Sequence, residues 1–373
     1  MIVIASHVLF DRDYIPHYGI GSALAQHLEH KKIQYEYIKH PLQNGYGTRI
    51  EYYRNGKVVA EIRGACWIPF PIRLIQDFII TASVVYRCSQ KIDLFIGIDP
   101  VNAYFALLLK KTGKVQKVVF YTADWSSLRF NNKILNLIYH VIDKYCIAHA
   151  DEVWNVSTRM MSLRKSQGVE HIRNKFVPNT PFMIHKSSKH NRINRTHDLI
   201  ITSGKLDPYL NYDPVIKAVD VLKNRYKDIR LLIIGEMSEY GKHLRRRVKN
   251  LNISRYVIFK GVQSHEKLIE TVSKSGVGLA MYSGKNSWNE YGDSTKVREY
   301  LACGIPVIMT SICPTSADII HWKAGIVVDD LKTLPRKIDY LFSNINVYNA
   351  MKRNALRLGQ EYDYSKFLNH LLR

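Results

Sequence analysis

Residues 289–309, NEYGDSTKVREYLACGIPVIM, constrain the fold and the function more than any other stretch of the chain. A polar loop leads to Ser294 and Thr295, which are favoured residues at the N-cap of a helix. The pattern after them predicts a helix over 296–302, then a glycine and a proline that end it, and then a short buried strand. The N-terminus of such a helix attracts phosphate, because its N–H groups are unpaired and its dipole is positive there.

Two charged side chains of this predicted helix share one face. Lys296 and Glu299 are three residues apart, a spacing that makes them neighbours on a helix. Lys296 offers a cation to a phosphate, and Glu299 offers a carboxylate that accepts hydrogen bonds from ribose hydroxyls. The segment therefore indicates a site for a nucleotide diphosphate. A salt bridge between surface residues is the plainer interpretation of either side chain.

Strand-like apolar runs alternate with helical patterns along the whole chain, which is typical of parallel sheets covered by helices. The pattern predicts two doubly wound, Rossmann-like α/β domains that face a central cleft, with ligands at the carboxyl ends of the strands. The predicted strands are Met1–Ala5, Asp93–Ile98, Val118–Tyr121 and Val153–Val156, then Leu199–Thr202, Leu231–Ile234, Val257–Phe259, Val277–Ala280 and Val307–Thr310.

The domain boundaries follow from a break in this pattern. A basic, polar run at 184–197 predicts an interdomain linker. We therefore expect an N-terminal, acceptor-side domain at 1–183 and a C-terminal, nucleotide-sugar-binding domain at 198–355. Residues 356–373 are expected to form a helix that packs back on the N-terminal domain.

The charge of the chain indicates anionic partners. It carries 54 Lys and Arg against 32 Asp and Glu, a formal net charge of +22. The positive electrostatic field of such a chain attracts nucleotides or an anionic membrane surface. Nucleic acid is not expected as a partner, because no recognition motif accompanies the charge. No long uncharged apolar run predicts a spanning helix, and the five scattered cysteines suit a reducing cytosol.

Four blocks of the second half carry a family resemblance: ITSGKL at 201–206, RLLIIGEM at 230–237, VIFKGV at 257–262 and KVREYLACGIPVI at 296–308. In this order they resemble glycosyltransferase family 4 (group 1), the retaining nucleotide-sugar glycosyltransferases with the GT-B fold. The resemblance implies a hexosyl-type transfer from a nucleotide-diphosphate sugar to a glycan or lipid-linked acceptor. It also implies a role in surface polysaccharide or glycolipid biosynthesis.

The resemblance assigns roles in the second domain residue by residue. Lys205, which follows Gly204 after the first strand, is expected to contact the donor diphosphate and support catalysis. Glu299 matches the second of the family's paired glutamates and is expected to bind the donor. The first would fall at Tyr291. Either Glu290 serves in its place, or Asp293, a catalytic candidate, substitutes, or that contact is absent. Asp293 could equally cap the helix.

The first domain supplies fewer candidates. The resemblance suggests that Gly19 lets the backbone approach the donor phosphates closely. Asp99 and Asp124 follow predicted strands, and each could bind acceptor hydroxyls, act as a base or cap the next segment. We expect no cofactor and no metal, because the fifteen histidines form no HxxxH or HExxH pattern. Lys205, Lys296 and the helix N-terminus would stabilise the leaving diphosphate instead.

The expected function is thus a cytoplasmic glycosyltransferase, with a peripheral position on the inner face of the membrane left open. Two other functions also stay open: a non-catalytic scaffold that keeps the fold, and a nucleotide-sugar epimerase on the same fold. The aromatic, weakly charged stretch 66–87 could be a buried helix or a membrane-surface element.

Overall fold

The computed structural model of the chain describes residues 1–11, 13–64, 68, 72–181, 199–204, 206–284 and 288–368. The chain divides into two compact units, Met1–Phe182 with Phe367–Arg373, and Met183–Lys366. The expected linker at 184–197 and the candidate Lys205 lie outside the described residues.

The first unit is built on an eight-stranded sheet with the order β4-β3-β2-β1-β5-β6-β7-β8. All neighbouring strands are parallel except at β2–β3 and β3–β4, which are antiparallel. The chain order reverses at β1, which lies between β2 and β5. The strands are Ile2–Val8 (β1), Tyr35–Pro41 (β2), Arg49–Arg54 (β3), Lys57–Arg63 (β4), Ile92–Ile98 (β5), Val115–Thr122 (β6), Glu152–Asn155 (β7) and Asn174–Phe176 (β8).

The described helices of the first unit connect these strands, and apolar residues such as Val3, Phe95 and Val118 form the core. Helix α3 begins with Asp99 as N-cap and Pro100 in its first turn, where proline suits helix geometry. The helices are Ile20–His30 (α1), Arg73–Arg87 (α2), Pro100–Lys111 (α3), Lys133–His149 (α4) and Thr158–Ser166 (α5).

The second unit contains a six-stranded, fully parallel sheet with the order β11-β10-β9-β12-β13-β14. Counted within the unit, this is the 3-2-1-4-5-6 order of dinucleotide-binding folds. The strands are Leu199–Ser203 (β9), Arg230–Ile234 (β10), Val257–Gly261 (β11), Val277–Ala280 (β12), Val307–Met309 (β13) and Gly325–Val327 (β14). The two sheets confirm the predicted α/β class with two Rossmann-like units.

The described helices from residue 212 onward are Tyr212–Leu222 (α6), Glu239–Asn250 (α7), His265–Ser273 (α8), Thr295–Ala302 (α9), Thr315–His321 (α10), Leu334–Ser343 (α11), Ile345–Glu361 (α12) and Tyr364–Leu368 (α13). Short 3-10 turns occur at Pro208–Leu210, Trp288–Glu290 and Leu331–Thr333. Near the C-terminus, the ring of Phe367 packs edge-on against Phe176, with centroids 5.6 Å apart.

The sequence pattern did not predict β2, β3, β4, β8 and β14. All seven residues of β2 are buried, yet three of them are a glutamate, a lysine and a histidine, so the apolar pattern of a buried strand is hidden. Lys39 of β2 is neutralised by Glu51 of β3 at 2.7 Å, and both side chains are almost fully buried. A buried ion pair of this kind cannot be recognised from hydrophobic periodicity.

Helix α2 accounts for residues 73–87 of the stretch 66–87 and is only partly buried, and residues 66, 67 and 69–71 lie outside the described residues. Its polar residues Arg73, Asp77 and Thr81 are buried, whereas Ile75 and Ile79 are 63% and 61% exposed. The helix therefore buries three polar residues together with Val84 and Val85, and leaves two isoleucines exposed to solvent. Among the described helices of the chain, none is long and apolar enough to cross a bilayer.

Candidate functional site

Helix α9 begins where the sequence predicted, at the carboxyl edge of the second sheet after β12. Ser294 is its N-cap, and the Ser294 Oγ accepts a hydrogen bond from the N–H of Val297 at 3.3 Å. The same Oγ is hydrogen-bonded to the Tyr282 hydroxyl at 2.5 Å. The cap fixes the first turn, which opens with Thr295 and Lys296 and whose N–H groups lack intrahelical acceptors.

A buried ion network holds this helix start in place. The Arg298 Nε lies 3.1 and 3.0 Å from the two carboxylate oxygens of Asp293, and another Arg298 nitrogen is 3.1 Å from Asp318. The guanidinium also stacks over the Tyr362 ring at 3.5 Å. Despite burial, these acids raise the pKa of Arg298 above its ordinary value.

The Asp293 carboxylate is thus already paired with groups of the protein. Its side chain is 1% exposed, and its Oδ1 also accepts a hydrogen bond from the Thr315 hydroxyl at 2.7 Å. A carboxylate that is buried and paired in this way has little capacity to contact a sugar or take a proton. The geometry favours a structural role for Asp293 over the catalytic role that was one of its predicted alternatives.

Lys296 lies next to the loop after β9. Its Nζ is 5.2 Å from the centroid of the Tyr282 ring, and a Cβ placed on Gly204 would lie 3.1 Å from that Nζ. Burial lowers the pKa of Lys296 from 10.5 to about 8, although Glu299 acts in the opposite direction. Two residues that the sequence singled out, Gly204 and Lys296, therefore meet at the same edge of the sheet.

Glu299 is buried, with 4% of the residue exposed. Its Oε1 lies 2.9 Å from the Nε2 of His265, the first residue of α8. Sequence reasoning missed His265, since the two residues are 34 positions apart and no local pattern links them. The histidine fixes one oxygen of the carboxylate that was predicted to bind ribose.

Two glycine loops complete this edge of the sheet. Gly204 and Gly235 follow β9 and β10 with φ of 125° and 152°, a region that glycine adopts readily and other residues avoid. A Cβ on Gly235 would lie 1.8 Å from the carbonyl oxygen of Gly204. Only glycine lets these loops pass so closely beside the Lys296 ammonium.

Glu290, the remaining donor-side candidate, is half-buried in the 3-10 turn before α9. Its expected substitution for the missing glutamate stays a prediction. Within the described residues, no group of three or more His, Cys, Asp or Glu side chains could hold a metal ion.

The first-unit candidates are arranged differently. Gly19 is the N-cap of α1 in extended conformation, with open space where a side chain would stand. Its neighbour Gly21 is confined, because a Cβ there would lie 1.9 Å from the Tyr37 hydroxyl. Asp124 forms an ion pair with Arg129 at 2.5 Å, so its carboxylate is already engaged. Asp124 stays a predicted acceptor-side residue.

Comparison with known proteins identifies a family for part of the chain. Residues 183–357 match the family described as glycosyl transferases group 1. This range includes α9 and the second-unit candidates. The resemblance noted from the sequence is therefore confirmed at the level of group 1. Among curated protein sequences, no relative was found.

Solved structures share the fold over the full chain. Sucrose-phosphate synthase (tll1590) from Thermosynechococcus elongatus is 14% identical, with a TM-score of 0.73 and coverage of 99% of this chain and 96% of that one. Anabaena Alr3699/HepE, solved in complex with UDP-glucose, is 13% identical, with a TM-score of 0.68 and coverage of 100% and 98%. WaaG, a glycosyltransferase involved in lipopolysaccharide biosynthesis, is 11% identical, with a TM-score of 0.68 and the same coverage. At such identities the likeness shows the fold, which is GT-B.

The close approach of Gly235 to Gly204 predicts that Gly235→Ala destabilises the second unit. We expect a loss of roughly 1–3 kcal/mol from backbone strain alone, and more from the clash. Urea denaturation followed by tryptophan fluorescence measures it. Gly261→Ala is the matched control, because Gly261 has a φ of 68° but no atom lies within 4 Å of the place a Cβ would take. Equal losses in the two variants would contradict the close approach.

Proposed function

We propose that this glycosyltransferase, whose residues 183–357 match the group 1 glycosyl transferases, binds a nucleotide-diphosphate sugar at the start of helix α9. One observation carries the proposal: the N-terminus of α9, the Lys296 ammonium and the Glu299 carboxylate converge at the carboxyl edge of one parallel sheet. Such an edge is where doubly wound folds bind nucleotides.

The proposed chemistry is cleavage of the anomeric C–O bond as negative charge builds on the leaving diphosphate. Lys296 and the dipole of α9 would stabilise that charge from fixed positions, which lowers the barrier without rearrangement. Lys205 is proposed to assist on the basis of the sequence alone. Glu299, oriented by His265, would accept hydrogen bonds from the donor ribose.

The donor is proposed to be a UDP-sugar, and the transfer is proposed to retain the anomeric configuration. HepE of similar fold was solved with UDP and with UDP-glucose, which supports the choice of base. The acceptor is proposed to be a glycan or lipid-linked sugar of surface polysaccharide or glycolipid biosynthesis. The naming of WaaG as a glycosyltransferase of lipopolysaccharide biosynthesis supports that class of pathway.

A peripheral position on an anionic membrane is part of the proposal, and helix α4 supports it. Ile134, Leu137, Ile138 and Val141 are 69%, 64%, 49% and 58% exposed, and their spacing places them on one helix face. The flanking lysines at positions 133 and 144 are exposed as well. An apolar helix face with basic edges suits the headgroup region of an anionic bilayer.

The proposed donor site predicts selective stabilisation by UDP among UDP, GDP, ADP and CMP, measured as a shift in melting temperature. Glu299→Ala and Lys296→Ala are each expected to weaken binding by about 10- to 100-fold, because each removes a charge-assisted hydrogen bond of about 1.5–3 kcal/mol. Glu270→Ala on the exposed face of α8 is the control. No shift with any nucleotide would contradict the transferase and favour a scaffold. Epimerisation of the donor without any acceptor would favour an epimerase.

The lowered pKa of Lys296 predicts a pH dependence of UDP affinity. Below about 8 the side chain is charged, and above it the ammonium loses its proton and its attraction for phosphate. Bound phosphate favours the charged form and raises the pKa of Lys296 in the complex, so the affinity should fall from about pH 8 and level off above the higher pKa of the complex. Calorimetric titrations of wild type and Lys296→Met at several pH values test this. Any protonation of the nucleotide itself affects both proteins equally, so a difference between their pH profiles reports on Lys296. Parallel pH profiles of the two proteins would contradict the role of Lys296.

The exposed face of α4 predicts binding to phosphatidylglycerol vesicles and weaker binding to phosphatidylcholine vesicles. Replacing both Ile134 and Leu137 by Ser should lower partitioning at least about tenfold, because each buried side chain contributes about 1.5–3 kcal/mol. Co-sedimentation measures this. Ile320→Ser, at an equally exposed isoleucine of the second unit (61%), is the control. Equal partitioning of wild type and double variant would contradict membrane docking through α4.

A further inference from the structure

Four ionisable side chains pack together at the carboxyl end of the first sheet. They are His7 on β1, His40 on β2, Asp77 on α2 and Asp99 directly after β5. Strand β1 is the point where the strand order of this sheet reverses. In doubly wound sheets such a switch point is where ligands bind, and the cluster stands there.

His7 lies between the two carboxylates. Its Nδ1 is 2.8 Å from the Oδ2 of Asp99, and its Nε2 is 3.5 Å from the Oδ2 of Asp77. On the far side of Asp77, the His40 Nδ1 lies 3.2 Å from the Oδ1. The ring nitrogens of His40 also contact the Thr48 and Thr81 hydroxyls, each at 2.9 Å.

The charges of the cluster follow from these contacts. Burial opposes charge on His7, but Asp99 and Asp77 outweigh it and raise the pKa of His7 to about 9. Burial lowers the pKa of His40. The pKa values of Asp77 and Asp99 lie below their ordinary value, because the histidines outweigh burial. The four residues therefore hold one imidazolium between two carboxylates beside a neutral imidazole, with a net charge of −1.

Asp99 has a strained backbone. Its φ of 87° and ψ of 159° fall in a region that is essentially restricted to glycine, and such strain persists only where surrounding contacts impose it. Here the contacts are His7 and Asn102: the Asn102 N–H donates to the Oδ1 at 3.0 Å and the Asn102 amide to the Oδ2 at 2.7 Å.

Asp99 is also where the cluster reaches solvent. Its side chain is 23% exposed, against 11% for His7, 2% for Asp77 and 0% for His40. Among the described residues, the Oδ2 of Asp99 is contacted by the His7 Nδ1, the His7 N–H and the Asn102 amide, whereas the Oδ1 accepts only from the Asn102 N–H. Since each carboxylate oxygen accepts about two hydrogen bonds, the Oδ1 keeps capacity for a ligand donor. Because the cluster is negative overall, the ligand class it suits is a neutral molecule with hydroxyl groups, and not a phosphate.

We propose that Asp99 binds a hydroxyl group of the sugar acceptor, and that His7 is a positioning residue that clamps Asp99 against Asp77. This inference rests on the proposed glycosyl transfer and adds the residues that receive the acceptor. Asp99 takes the role of hydrogen-bond acceptor, while the imidazolium keeps the strained carboxylate ionised and oriented.

The experiment measures UDP release from UDP-glucose, with methyl α-D-glucopyranoside as the hydroxyl probe and water as the background acceptor. The variants are D99N, H7Q and the control H171Q, which alters an exposed histidine of the same unit. We expect D99N and H7Q each to lower kcat/KM for the probe about tenfold, since each weakens a charge-assisted contact. The KM for UDP-glucose and the behaviour of H171Q should stay unchanged.

The pH profile separates positioning from a structural effect. Wild-type kcat/KM for the probe should fall as the pH rises through about 9, where His7 loses its proton. The fall that Lys296 causes from about pH 8 is common to wild type and H7Q, so H7Q should lack only the additional fall due to His7. Histidine NMR titration is the second measurement and needs no turnover. The His7 signal should titrate near pH 9 in wild type and at lower pH in D77N and D99N.

The outcomes are distinguishable. A wild-type chain that releases no UDP and binds no nucleotide contradicts the proposed function. In that case the NMR titration still tests whether His7 is held as an imidazolium between Asp99 and Asp77. Unchanged kcat/KM for the probe in D99N or H7Q, with normal wild-type turnover, overturns the assignment of the acceptor residues. A His7 that titrates near its ordinary value of 6.5 overturns the clamp in either case.

Discussion

The buried ion pair between Arg298 and Asp293 is the interaction on which the second unit's site depends. Both side chains are nearly inaccessible, at 3% and 1% exposure, so neither charge would be tolerated there without the other. Together with Asp318 and the Tyr362 ring, the pair ties the start of α9 to α10 and to the end of α12. That anchoring sets where the helix N-terminus points, and Lys296 and Glu299 take their positions from it.

Much of the fold could be predicted because apolar β-branched runs mark central parallel strands directly. Strand β12, Val277–Ala280, has the predicted bounds, and β5 and β13 differ from prediction by one residue at one end. The β2–β4 region could not be predicted, since its buried residues include Lys39 and Glu51, which neutralise each other only once the strands pair. Local hydrophobicity carries no information about a partner that lies on another strand.

The residues of the candidate site likewise fall into those that are close in sequence and those that only the fold brings together. Ser294, Lys296 and Glu299 lie within one capped helix, so spacing alone brought them together. His265, which orients Glu299, and His7, which contacts Asp99 from 92 residues away, depend on strand order and could not be found by spacing. For Asp293, local position was misleading. Its place before the helix suggested a ligand contact, but its carboxylate is paired with Arg298, five residues later.

A crystal structure of the chain with UDP tests the central claim most directly. We expect the diphosphate at the N-terminus of α9, within hydrogen-bond distance of the Lys296 Nζ, and the ribose hydroxyls on Glu299. A nucleotide bound elsewhere, with Lys296 and Glu299 keeping only the Tyr282 and His265 contacts they have now, would contradict that claim.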